Sequence, residues 1–366
     1  MGVGYEIDFL PVGEGEKSGD AIALRFGNLF GERQEQFVMV IDGGTQDSGK
    51  QLVEHIKKYY KTDRVDLVVS THPDSDHASG LTVVLNGLKI DRLWMHKPWE
   101  HASNIRSLFQ SGRITDTSLR ETLRGALENA NELERIARQK GIPIDEPFAG
   151  EVLPFANIGV QVLGPSRTFY ESLLPFFRET PQPRQTGIFE RAVTAVLEAV
   201  KWIAEIWPIE TLTDPAVDAS SAENNTSVIL LFRIDDHLIL LTADAGVPAL
   251  EQAAAYAESA GVDLTRCRLI QVPHHGSRRN VGPTILDRIL GPKFQRPGND
   301  KTAYVSAAKD GAPKHPSRKV ANAFQRRGAK ERVFATQGGA KCHPHNAPDR
   351  GWSTATPLPF YEQVEE

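Results

Sequence analysis

The sequence predicts an α/β fold in which helices cover layers of β-sheet. Three observations point there. Apolar runs near the N-terminus follow one another with short connections, which suits antiparallel hairpins before a helix packs on the sheet. Later runs alternate with stretches of helical periodicity. Four strand candidates end in side chains of the kinds that hold divalent metal: Asp42, the 72–77 stretch, Asp244, and His274-His275.

The 366 residues suffice for one large domain or two ordinary ones. A hydrophobic content of 40% with 24% charged residues describes a soluble globular chain. The formal net charge of -5 argues against a generally basic nucleic-acid coat protein but leaves room for a local basic groove. Two cysteines, Cys267 and Cys342, make no disulfide framework and fit a reducing compartment. The N-terminus shows no basic start followed by an apolar stretch, so no secretory signal is expected. No apolar run approaches the ~20 residues needed to span a bilayer. The expectation is a cytoplasmic protein that makes no membrane contact.

In chain order, residues 5–12 form a first strand, 21–26 a second and 36–41 a third, ending at Asp42-Gly43-Gly44. Residues 48–60 read as an amphipathic helix with Leu52, Ile56 and Tyr59 on one face. The buried strand 66–70 leads into Thr71-His72-Pro73-Asp74-Ser75-Asp76-His77-Ala78-Ser79-Gly80. Pro73 bars a regular strand and Gly80 permits a tight backbone, so the four ligand-type side chains are expected on a loop. A strand at 90–95 and a long helical region at 104–140 follow, then strands within 150–164. Residues 97–222 read as a helical covering region inserted in a single domain of 1–366. Within it, a helix is expected at 188–206 and an acidic, Ser-rich stretch at 214–223. Strands at 227–234, 237–242, 269–272, 302–306 and 332–336 alternate with helices at 248–261, 283–290 and 316–328. Residues 337–366 form a C-terminal extension. No internal repeat of fixed period is evident.

Two imidazoles and two carboxylates within six residues have one economical use, holding divalent metal; carboxylate oxygen alongside imidazole suits zinc and tilts a site toward manganese. Strand ends along one edge of a layered fold meet at one rim. A two-metal site needs a shared ligand, usually a carboxylate, and Asp244 is the natural bridge. Two cations about 3.5–4 Å apart polarise a phosphoryl or carbonyl oxygen and generate hydroxide from water near neutral pH.

Taken together, His72-x-Asp74-x-Asp76-His77-x-x-Gly80, Ile41-Asp42-Gly43-Gly44, Leu241-Thr242-Ala243-Asp244 and Val272-Pro273-His274-His275-Gly276-Ser277 resemble the metallo-β-lactamase-fold hydrolases. More narrowly they resemble the nuclease domain of the bacterial competence DNA-uptake channel (ComEC-like). Val12-Gly13-Glu14-Gly15, Gly19-Asp20-Ala21, Asn224-Asn225-Thr226-Ser227 and Lys314-His315-Pro316-Ser317 extend the likeness, in family order, from residue 7 to about 336. The resemblance implies a four-layer αββα sandwich with a largely helical insertion, in a free-standing soluble relative. It implies two divalent metal ions, zinc or manganese. His72 and Asp74 would hold one, Asp76, His77 and His274 the other, with Asp244 bridging and Asp42 orienting a ligand histidine from behind. The implied catalytic set is Asp76, His77, Asp244 and His275. Two departures stand out: Asp74 replaces a family histidine, and Asn224-Asn225 stand where another ligand histidine precedes the strand at 227. Both make the first site harder and looser, favouring manganese over tight zinc.

Of the histidine pair, His274 lies nearer the strand and is read as the ligand, with His275 a substrate-side or supporting group and candidate proton donor. Asn225, Ser277, His315, Arg326 and Arg327 are candidate substrate-phosphate contacts. Ser277 would act through backbone N–H groups, as an alternative to a simple turn. His315 would act at a helix N-terminus, as an alternative to a plain cap by Ser317. His96, His101 and His237 read as surface or packing residues, and Cys342-His343-Pro344-His345 as a C-terminal loop rather than a zinc site. Lys314, Arg318, Lys319, Arg326, Arg327, Lys330 and Arg332 cluster downstream of the site, with Arg278 and Arg279 just after the histidines. They form either a solvated helix face or a surface that attracts a polyanion. The leading functional expectation is a metal-dependent phosphodiesterase, a nuclease with DNA as its partner. Hydrolysis of a small ester, lactone or nucleotide second messenger is the alternative, and a metal-binding subunit without turnover the third.

Overall fold

The computed structural model describes residues 2–13, 15, 17–155, 158–184, 201–294, 299–312 and 314–366. A first sheet contains β1 (Gly4–Phe9), β2 (Ala21–Gly27), β3 (Gln36–Gly43), β4 (Leu67–Val69), β5 (Leu93–Trp94) and β6 (Ile144–Asp145) in that spatial order. β1 to β3 are antiparallel, as short hairpin connections require, and β3 to β6 are parallel. A second sheet runs β7 (Val152–Phe155), β8 (Ile158–Gly164), β9 (Ile229–Ile234), β10 (His237–Leu241), β11 (Leu269–Gln271), β12 (Thr302–Val305) and β13 (Val333–Ala335). It too is antiparallel in one half, β7 to β10, and parallel in the other.

Strand alternation builds the layers. In β2, Ile22, Leu24 and Phe26 face the second sheet, where they meet Val160, Leu230, Phe232 and Ile239. Ala21 and Ala23 turn the other way, toward α1 (Gln46–His55) and α2 (Ser75–Gly87). On the far side, Leu231, Leu240 and Ile270 pack on α5 (Val247–Ser259), α6 (Pro283–Leu290) and α7 (Arg318–Phe324). Three apolar layers therefore lie between helix, sheet, sheet and helix. No helix of the described residues is long and apolar enough to cross a membrane.

Several expectations change. The long helix at 104–140 is broken: α3 (Asp116–Ala126) starts at a capping box made by Thr115 and Ser118, and α4 (Glu128–Lys140) follows a non-helical Leu127. The expected helix at 188–206 lies outside the described residues up to 200, and its end is instead a strand, Trp202–Ala204, paired with Gln363–Glu365. The Cys342–His345 stretch is not a loop. It belongs to β14 (Lys341–His345), which pairs with β1 and closes the edge of the first sheet.

The basic cluster after residue 314 is largely spent inside the protein. The side chains of Arg326 and Arg327 are fully buried. Arg326 Nη1 donates to Glu205 Oε1 at 2.6 Å, and its other nitrogens donate to the carbonyls of Ile206, Trp207 and Ile209. Arg327 donates to Glu210 Oε1 at 2.6 Å and Asp287 Oδ1 at 2.7 Å. The 201–210 segment lies over both, so neither meets a substrate phosphate. Arg318 stacks on Trp202 and Tyr361. Arg326→Ala would leave the Glu205 carboxylate buried without its cation, held only by Asn322 and Thr211. We expect a loss of about 3–5 kcal/mol in denaturant unfolding, a result a surface phosphate contact would not give.

His101 is not a bystander either. It lies buried between two glutamates, with Nδ1 2.8 Å from Glu171 and Nε2 3.1 Å from Glu146. Burial disfavours its charge, but the two carboxylates outweigh burial and raise its pKa above 6.5. The stabilisation is therefore complete below the unfolded pKa and fades as pH rises through the raised folded value. Urea unfolding of His101→Ala against the parent protein should show the largest deficit below about pH 6 and a shrinking one above it.

Candidate metal centre

The parallel halves of both sheets deliver their C-terminal ends to one rim. Asp42 closes β3, His72 follows β4, Asp244 follows β10, and His274 and His275 follow β11. Four residues there hold left-handed backbone: Asp42 (φ 55°), Ala243 (φ 46°), His274 (φ 45°) and His275 (φ 56°). Such conformations are unfavourable for non-glycine residues and persist only where the surroundings enforce them.

The 71–80 motif is only half loop. α2 begins at Ser75 with Asp74 as its N-cap, so Asp76 and His77 project from the first helical turn. Gly80 is needed for a crossing rather than a turn: a side chain there would run into the carbonyl oxygens of Gly43 and Thr45. That close approach of α2 to the end of β3 sets His77 beside Asp42.

Asp244 is the focus. Its Oδ2 has four imidazole Nε2 atoms around it: His77 at 3.3 Å, His275 at 3.5 Å, His274 at 3.6 Å and His72 at 3.9 Å. Four ligand-atom groups within 4.8 Å share these residues: Asp42, His72 and His77; Asp76, His77 and His275; Asp244, His274 and His275; Asp20, His77 and Asp244. His275, rather than His274, joins Asp76 and His77. His274 reaches Asp244 from the open side, its side chain 24% exposed against 2% for His275. Asp74 stands 3.8 Å from His72 Nε2 through Oδ2, while its Oδ1 is held by Arg178.

The imidazoles are fixed from behind. His77 Nδ1 donates to Asp42 Oδ2 at 2.8 Å. Thr71 Oγ1 donates to the same oxygen at 2.6 Å and lies 3.1 Å from His72 Nδ1. His275 Nδ1 donates to the Ser306 carbonyl at 2.8 Å. Donation from Nδ1 leaves the Nε2 lone pair for a ligand bond. His274 Nδ1 lies 2.7 Å from Asn280 Oδ1 and 3.1 Å from Asn224 Nδ2. Asn280 takes the Nδ1 proton, and the Asn224 amide lies against the same edge of the ring.

Nε2 of His72, His77 and His275, together with Asp244 Oδ1 and Asp20 Oδ1, are buried with no hydrogen-bond partner. Each such orphan costs about 1–3 kcal/mol, and all five belong to the residue types that bind zinc or manganese. The donor set therefore fits a divalent metal centre. Charges inside it are strongly coupled. Burial would raise Asp244, but His275, His77 and His274 hold it well below the usual carboxylate range. Burial and His77 push His72 down. Burial lifts Asp20 to about 6.

Other expected contacts fall elsewhere. Asn225 is fully buried, accepting from Ala249 N and donating to the Ser221 carbonyl, so it is a loop brace and not a substrate group. Ser277 is buried, with its N–H spent on the His274 carbonyl, so it closes a turn. Ser317 caps α7 through Val320 N, and Glu365 covers that helix end in place of a phosphate. His315 does reach the centre, its ring 5.6 Å from that of His274 and 6.0 Å from that of His275. Burial and those two rings lower it to about 3. Asp20 and Gln271 were not singled out as site residues by the sequence reading. Gln271 donates to Asp20 Oδ2 at 2.8 Å and accepts from the backbone of Thr242 and Ala243. Gly19-Asp20-Ala21 was the only signal for Asp20.

Asp42→Asn keeps the shape but turns an N–H₂ toward His77 or Thr71. Calorimetric titration of the metal-stripped variant with zinc should show affinity lowered about 10–100-fold, with circular dichroism unchanged.

The family model described as "Metallo-beta-lactamase superfamily" matches residues 31–170. "ComE operon protein 3" of Bacillus subtilis (strain 168) is 20% identical over 263 residues, 72% of this chain but 22% of that protein; the chain thus spans about a fifth of the curated relative's length. Among solved structures, the metallo-beta-lactamase fold protein YhfI from Bacillus subtilis is 7% identical, covering 93% of this chain and 100% of that one at a TM-score of 0.42. Unliganded yeast PDE1 is 12% identical, covering 92% and 99% at 0.44. With helices outside two mixed sheets and His/Asp clusters at their shared rim, this chain has the metallo-β-lactamase fold.

Proposed function

We propose that the protein is a metal-dependent phosphodiesterase, with DNA as its leading substrate. The observation that carries this reading is the convergence of four imidazole Nε2 atoms on Asp244 Oδ2, flanked by Asp74 and Asp76. Two divalent cations bound there supply Lewis-acid polarisation of a phosphoryl oxygen and a water-derived nucleophile near neutral pH. His72 and Asp74 would hold one position, Asp76, His77 and His275 the other, and Asp244 would be shared between them. Asp42 and Ser306 keep the imidazoles aligned. His274 is the more open of the paired histidines and, with His315 beside it, forms the substrate-facing side of the centre. A carboxylate-rich set favours manganese over tightly held zinc. The motif likeness to a competence-channel nuclease domain supports DNA.

One observation favours a small phosphodiester instead. Arg326 and Arg327 are buried, which removes the centre of the expected basic track. Lys314, exposed next to His315, remains.

The test is an assay of plasmid, single-stranded oligonucleotide and a chromogenic phosphodiester with manganese or zinc. Metal-dependent cleavage should occur and fall to background in a folded Asp244→Asn variant; activity that survives the substitution overturns the two-metal reading. For a nuclease, KM on the oligonucleotide should rise with salt and with Lys314→Ala while KM on the chromogenic ester stays put. Indifference to both identifies the small-substrate reading.

A further inference from the structure

We infer that Arg178 makes the two metal positions unequal, so that the position built on His72 and Asp74 fills last and weakly. This rests on the two-metal reading above and concerns how that site is loaded. Arg178 comes from the segment that precedes the undescribed residues 185–200 and reaches the edge of the metal motif. Its Nη2 donates to Asp74 Oδ1. Its Nε donates to Glu223 Oε1 at 3.2 Å, and its own backbone N–H donates to the same oxygen at 2.7 Å. Glu223 is buried, so the arginine is tethered from behind and its head is aimed at Asp74.

Asp74 is therefore shared. Oδ2 looks toward His72 Nε2 at 3.8 Å and Oδ1 is engaged by a permanent cation. A dication binding through Asp74 must either displace the guanidinium or tolerate its charge nearby, and both weaken the metal. The other position carries no such burden. Among the described residues, no arginine or lysine pairs with Asp20, Asp42, Asp76 or Asp244. Asp74 is also the one motif carboxylate outside every close ligand group around Asp244. The side chain of Arg178 is half-exposed, so it can swing away while Glu223 keeps hold of its stem.

The experiment is calorimetric titration of the metal-stripped full chain with Mn²⁺, for the parent protein, Arg178→Ala, Arg178→Gln, Arg178→Lys and Asp74→Asn. The parent should show two steps of unequal affinity, and Asp74→Asn should lose the weaker one alone. Arg178→Ala and Arg178→Gln should tighten the weaker step about tenfold or more and leave the stronger step unchanged. Arg178→Lys keeps the charge and should stay within a few-fold of the parent. Two equal steps in the parent overturn the inference, as does a weaker step that Arg178→Ala leaves unchanged or loosens. Binding is read without turnover. A parent protein that binds manganese in this pattern and cleaves no phosphodiester therefore sinks the functional reading and leaves this one standing.

Discussion

The structure depends on one buried carboxylate. Asp244 sits almost out of solvent with four imidazole nitrogens within 3.9 Å of a single oxygen. No arrangement of protons lets one oxygen satisfy four such nitrogens at these distances. The cluster fits a ligand cage, because ordinary buried polar groups are matched to partners. Everything around it serves to hold those nitrogens in place against their mutual repulsion when protonated.

The sheets do the holding. Each sheet is antiparallel on one side and parallel on the other, and only parallel strands send successive C-terminal ends to the same rim. β3 and β4 bring Asp42 and His72 from one sheet; β10 and β11 bring Asp244 and the His274-His275 pair from the other. Gln271, on β11, ties the two halves together by bonding Asp20 of the first sheet and the backbone that carries Asp244. The left-handed residues at three of these strand ends are tolerated because three apolar layers fix the strands on which they stand.

Local chemistry made much of this legible in the sequence. Period-two strands, turn residues after them and the density of His and Asp at strand ends all act over a few residues, so the hairpins, the motif and Asp244 could be read directly. What was missed depends on distance. Nothing local shows that Ser306, beyond another strand, takes the Nδ1 proton of His275 and leaves its Nε2 facing Asp244 alongside that of His274. Arg326 and Arg327 look like a basic track until residues 201–210 are laid over them with Glu205 and Glu210. Asn225 looks like a site residue, but its amide is consumed bracing the start of α5. The break between α3 and α4 lies at Leu127, two residues after Gly125.

The segment 223–225 shows how one stretch meets several constraints at once. Glu223 anchors Arg178, Asn224 lies against the His274 ring, and Asn225 braces the loop onto α5. His274 Nε2 lies 3.6 Å from Asp244 Oδ2 on the β11 side. The same backbone carries the carboxylate that holds a cation against Asp74. Local positive charge therefore rises on the His72–Asp74 side of the centre, which acts in the direction of looser metal binding there. The asymmetry between the two positions follows from this short stretch and from Arg178, while the fold itself treats both halves alike.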